Sequence, residues 1–175
     1  MPKQVIDYES GKRIPGKFLP QPYALSLSTS LSFYVNDIAN DRELAKTIYD
    51  GYPDEGNRRP ELPPRFHTGS MACGSSVIED NPKTFDLIQE HIRDATALDM
   101  ESYGLACAVQ LSNQQHGDGG VEWAVIKAVS DHGISPSTIE LSAQGAMEPK
   151  NDSLHHYSSY TSAAVIRQLI TRLYE

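Results

Sequence analysis

The sequence is poor in several features, and each shortage excludes a class of protein. No apolar run approaches the roughly 20 residues of a membrane-spanning helix, so no helical span is expected. Basic residues are outnumbered: 15 Lys and Arg against 23 Asp and Glu leave a net charge of −8. That balance argues against a broad basic face for nucleic acid or an anionic membrane. Cysteine occurs only at Cys73 and Cys107, each among small residues ("MACGSS", "GLACAV") and without metal-ligand spacing. Both read as buried thiols in a reducing compartment. The N-terminal "MPKQVIDYESGK" lacks the apolar core of a signal peptide, so a cytoplasmic location is expected. His132, His155 and His156 form no metal constellation, and His67 reads as a packed polar residue beside a strand. No metal site is expected.

What is present describes an ordinary soluble chain, 39% hydrophobic and 22% charged over 175 residues. That length predicts one domain, 1–175, with a sizeable core. Its first half is punctuated by Pro and Gly in "KRIPGKFLPQP" and "GYPDEGNRRPELPP", which read as loops. Between them "NDIANDRELAKTIYD" predicts a helix with Ile38, Leu44 and Ile48 inward and an Asn or Asp cap.

From residue 65 the pattern becomes regular. "RFHTGSMACG" predicts a short strand entering a glycine-bearing loop. "NPKTFDLIQEHIRD" predicts a helix with Asn81 as cap, Pro82 at its first position and Phe85, Leu87, Ile88 and Ile92 on one face. "ATALDM" is strand-like, and "ESYGLACAVQLSN" continues as a helix of small residues. "VEWAVIKAVSD" reads as a strand buried on both faces. Within it, Trp123 reads as core or subunit interface and Lys127 as a side chain that snorkels or pairs with an acid. A loop over 133–152 precedes a C-terminal helix, apolar at Ala163, Val165, Ile166, Leu169, Ile170 and Leu173. Tyr157 and Tyr160 sit at helical spacing as core contacts. Strands alternating with helices predict an α/β fold with a largely parallel sheet.

Ligands collect where the strands of such sheets end. Three places qualify: Gly74 to Ile78, Asp99 to Glu101, and Ser130 to Gly133. Locally each acid has two readings. Asp131 either caps a turn or, desolvated at the mouth of a strand, donates a proton. Asp99 and Glu101 either favour the positive start of the next helix or accept hydrogen bonds from a sugar diol, with Met100 as an apolar surface beneath the ring.

"MACGSSVIED", "ALDMESYG", "IKAVSDHG" and "HYSSYTSA" follow one another in the order found in the nucleoside phosphorylase/nucleosidase superfamily. The chain resembles that superfamily, which includes purine nucleoside and uridine phosphorylases and the methylthioadenosine/S-adenosylhomocysteine nucleosidases. "VIDYESGK" is similar to the family's Tyr-x-x-Gly-Lys loop after a central strand. The resemblance implies a three-layer α/β/α phosphorylase/hydrolase-like fold with a central mixed, largely parallel sheet, lacking its N-terminal half. It implies that Asp131 protonates a purine at N7 and that Glu101 binds the ribose hydroxyls with Met100 packed on the ribose. Val77 and Ile78 would line the base, Asp99 would have a ribose or water-positioning role, and Ser130 would orient the catalytic acid. No cofactor is implied, and phosphate is a possible co-substrate. The partners implied are a purine nucleoside or nucleotide and either a second copy of the chain or a chain supplying the family's glycine-rich phosphate loops. Three outcomes are carried forward: N-glycosidic cleavage, a nucleoside-binding or regulatory module without turnover, and a structural fragment whose sheet edge is covered by another chain.

Overall fold

The computed structural model describes residues 1–53, 59–78, 83–116, 120–129 and 154–175. Asn81, Pro82, Ser130, Asp131, His132 and the 133–152 loop lie outside them. The chain divides into two compact units. The first comprises Met1–Phe33, His67–Val77 and Phe85–Val125; the second comprises Tyr34–Phe66, Ile78–Thr84 and Ile126–Glu175.

The first unit is built on a mixed four-stranded sheet. Strands β1 (Gln4–Asp7), β4 (Tyr23–Ser26), β5 (Ser70–Cys73) and β6 (Ala95–Asp99) lie in the order β4-β1-β5-β6. β4 is antiparallel to β1, while β1, β5 and β6 run parallel. The register lines up Leu25, Val5, Met71 and Ala97 in one row across the sheet and Ala24, Ile6, Ala72 and Leu98 in the next. Because successive strand residues face opposite sides, these rows serve different cores. Val5 and Met71 pack with Ala106, Tyr103 and Trp123, whereas Ile6 and Ala72 pack with Phe85, Ile88 and Ile92. The sheet therefore carries helix α3 (Lys83–His91) on one face and α4 (Ser102–His116) on the other. Such two-faced burial explains why strands this short are nearly free of charge.

Between Ser70 and Met71 the register shifts: Ser70 pairs with Ala95 but Met71 with Ala97. Thr96 is the extra residue. The shift is the reason Ala95 and Ala97, two positions apart, reach opposite faces. Buried Ser70 is satisfied by donating to Asp94 Oδ1 (2.7 Å) and accepting from Gln4 Nε2 (2.7 Å).

"KRIPGKFLPQP" is not a loop but most of a separate hairpin, β2 (Gly11–Ile14) with β3 (Lys17–Pro20). Its turn is Pro15–Gly16, with Gly16 at φ 72°, a left-handed conformation that glycine adopts without steric penalty.

The helix predicted over 36–50 is two helices, α1 (Thr29–Asn40) and α2 (Arg42–Asp50). Asp41 causes the break: its amide donates to Ile38 O, and its carboxylate accepts from Leu44 N (2.9 Å) as the cap of α2. α1 starts about two turns earlier than expected, at Thr29, where the Ser28 hydroxyl caps it through Leu31 N (3.1 Å).

In the second unit, helix α5 (His155–Tyr174) buries Tyr157, Thr161, Val165 and Leu169 at four-residue spacing. Ile166 and Ile170, expected on the apolar face, are rotated away from that stripe and exposed. Tyr157 meets Tyr49 and Tyr52 edge-on, and Tyr160 meets Tyr52 in the same way. Arg172 forms ion pairs with Asp37 and with the cap residue Asp41.

Residues 121–129, expected as a buried strand, form none. At its two ends, side chains take backbone groups that a ladder would use. Asn113 donates to Val121 O (2.9 Å) and accepts from Val121 N (2.9 Å), and Ser162 Oγ accepts from Ala128 N (3.1 Å). Trp123 is half-buried against the first core as expected, and Lys127 is exposed. Leu87, placed on the inner face of α3 by the sequence, is also exposed, as is His67. Cys73 is buried, but Cys107 is only half-buried.

Candidate functional site

The carboxyl ends of the three parallel strands stop at one level. Asp7, Cys73 and Asp99 are register partners across β1, β5 and β6. Backbone bonds continue beyond the strands: Tyr8 N donates to Cys73 O (3.2 Å), and Gly74 N donates to Asp99 O (3.1 Å). This staircase of bonds brings together the loops 8–10, 74–77 and 100–101, all within the first unit.

At this edge the two acids of "LDMES" have different surroundings. The Asp99 carboxylate is committed, accepting from Ser102 N (3.1 Å) through one oxygen and from Ser102 Oγ (2.7 Å) through the other. It caps α4, and Ser102 is 3% exposed. Glu101 is exposed and, among the described residues, accepts from Met100 N at 3.3 Å, a weak bond. Met100 is exposed beside it. A carboxylate and a thioether side by side, open to solvent at a strand end, can accept two hydroxyls while covering an apolar ring face.

Val77 is exposed at the end of the loop after β5, in the same unit as Asp99, Met100 and Glu101. Ile78 is half-buried and belongs to the second unit. Asp131 and Ser130, the proposed acid and its neighbour, lie outside the described residues.

Sequence reasoning missed the loop after β1 as part of this edge, although residues 8–12 of "VIDYESGK" do follow an interior strand of the sheet. Asp7 Oδ1 accepts from Glu9 N (3.0 Å), and its other oxygen accepts from Ser10 Oγ. Glu9 Oε2 accepts from both Ser75 N (2.7 Å) and Ser75 Oγ (2.6 Å). The Ser75 hydroxyl and amide hold the Glu9 carboxyl below its ordinary pKa. The available signal was an acid just after an apolar strand; its partner, 66 residues away, could not be read. Cys73, at the centre of the row, has its thiol pushed up in pKa by burial and is no ready nucleophile.

An open groove of about 610 Å³ lies toward the other end of α4. It is lined by β4, Leu31, Gln110, Asn113 and Trp123, and contains none of the candidate site residues named from the sequence. Among the described residues no group of three or more His, Cys, Asp or Glu could hold a metal ion, and no helix is long and apolar enough to cross a membrane.

No family model matches the chain. It is 27% identical over 173 residues to "Uncharacterized protein y4jS" of Sinorhizobium fredii (strain NBRC 101917 / NGR234). That alignment covers 95% of this chain and 36% of the relative's own length.

Proposed function

We propose that the loops after β5 and β6 form the ribose wall of a nucleoside site, and that the chain takes part in N-glycosidic cleavage of a purine nucleoside or nucleotide within a three-layer phosphorylase-like fold. The observation that carries this proposal is the division of labour between neighbouring acids. Asp99 is spent on capping α4, whereas Glu101 stands open beside exposed Met100. The choice of a purine rests on the resemblance, which assigns Asp131 to the base.

In the proposed reaction the bond from ribose C1′ to the base breaks and its electron pair moves to the base. Asp131, as a carboxylic acid, gives its proton to N7, an effect of about 10²–10⁴-fold. The Glu101 carboxylate orients the ribose hydroxyls and favours the positive charge that develops on the ring. Water or phosphate oxygen then bonds to C1′, and an attacking water passes its proton to solvent or to the Asp131 carboxylate left by the first transfer. Ser130 would orient Asp131, and Val77 and Ile78 would border the base.

The test is purine release from adenosine, inosine, methylthioadenosine and purine nucleotides, each with and without phosphate. Release that Asp131→Asn abolishes supports the mechanism; release unchanged by Asp131→Asn refutes it. The alternative without turnover, a nucleoside-binding module completed by another chain or by a second copy, is favoured by one observation. The chain spans 36% of the length of the relative it matches. Thermal stabilisation by adenosine without base release would select that alternative.

A further inference from the structure

From the loop geometry we infer that Glu9 is a positioning residue for the base side of the proposed nucleoside site, an inference that rests on the function proposed above. Its carboxylate reaches across the strand ends to a residue 66 positions away and holds it twice, through Ser75 N (2.7 Å) and Ser75 Oγ (2.6 Å). Glu9 is itself aimed by its amide, which donates to Asp7 Oδ1 (3.0 Å). Tyr8, the preceding residue, closes on Gly74 so tightly that a Cβ there would lie 2.6 Å from the tyrosine ring. On the opposite side Gly74 N is held by Asp99 O (3.1 Å).

The loop from Gly74 to Val77 is thus gripped from β1 on one side and from β6 on the other. The grip from β6 is a backbone bond next to the acid that caps α4. The grip from β1 is a side-chain carboxylate with no helix to cap and only half-buried. A charge-assisted pair of bonds on an open loop adds little to a core. It does fix the backbone two residues before Val77, the residue proposed to border the base. Glu9 therefore acts through Ser75 and does not itself touch the nucleoside.

The experiment compares the full chain with Glu9→Ala, Glu9→Gln and Glu101→Ala. Three quantities are read: amide hydrogen exchange at Ser75 and Ser76, affinity for adenine, and affinity for adenosine. Glu9→Ala should speed exchange at Ser75 and weaken adenine and adenosine alike by about tenfold, the equivalent of one net hydrogen bond. Glu9→Gln, whose carbonyl still accepts from both Ser75 groups, should restore most of both. Glu101→Ala should weaken adenosine while leaving adenine unchanged. Faster Ser75 exchange with unaltered adenine affinity would overturn the positioning role, and unchanged exchange would overturn the grip itself. Wild-type chain that binds neither adenine nor adenosine would defeat the nucleoside proposal and the positioning role with it, while the exchange data would still decide the grip.

Discussion

Truncating Asp99 and Glu101 separately, each to alanine, should give opposite phenotypes although only Met100 lies between them. Asp99→Ala removes the cap of α4, worth about 1 kcal/mol. It also strands the Ser102 hydroxyl, 3% exposed, whose partner at 2.7 Å is lost. A buried hydroxyl left unpaired costs about 1–3 kcal/mol, so the total is about 2–4 kcal/mol. Glu101→Ala removes an exposed side chain whose one bond among the described residues is the 3.3 Å contact with Met100 N, and such surface changes stay within about 0.5 kcal/mol. For a proposed ribose diol the order reverses: hydrogen bonds to a charged group are worth about 1.5–3 kcal/mol, so Glu101→Ala should weaken adenosine by at least tenfold. Urea denaturation gives the stability difference from the midpoint at constant slope, and calorimetry gives the affinity. Equal destabilisation by the two variants, or undiminished adenosine affinity in Glu101→Ala, would refute the division of labour.

Other outcomes follow from the same structure. Met71, 2% exposed and central in its row, should cost about 2–5 kcal/mol on truncation to alanine, seen as a lower urea midpoint. The Asp41 carboxyl lies below the usual aspartate range, chiefly because it accepts from Leu44 N and also because it pairs with Arg172. Since its folded pKa is depressed, its contribution is whole above the unfolded value of about 3.9 and is lost as pH falls through the folded value. Asp41→Asn should therefore flatten the acid limb of a stability–pH curve measured by urea midpoints. Burial raises the pKa of Cys73, so a thiol reagent at neutral pH should label half-buried Cys107 first, as peptide mapping by mass spectrometry would show.

The parts of the fold legible in the sequence were those whose signals are local. Helices α3 and α4 and strands β5 and β6 each declare themselves through periodicity and flanking residues. Strands β1 and β4 did not, because four residues of mixed character acquire meaning only when Val5 and Leu25 meet in a row. The apolar run 121–129 misled for the converse reason. Hydrophobicity announces burial, but nothing in "VEWAVIKAV" reveals that Asn113 will hold the backbone of Val121 and Ser162 that of Ala128. At the candidate site, "LDMES" pointed to a strand end and a helix start. Which acid caps and which stands open depended on side-chain reach, and the Glu9–Ser75 contact depended on two loops being neighbours.

The register shift at Thr96 has a consequence for how the chain can vary. Ser70 pairs with Ala95 and Met71 with Ala97, so the residues on either side of Thr96 already stand opposite consecutive partners. A chain one residue shorter at this point would pair without interruption, keep Ala95 and Ala97 on their separate faces, and deliver Asp99 to the same level beside Cys73. Strand β6 thus contains a slot where deletion of a single residue is absorbed before it reaches the strand end. Length can change there while the geometry of Asp99, Met100 and Glu101 stays in place.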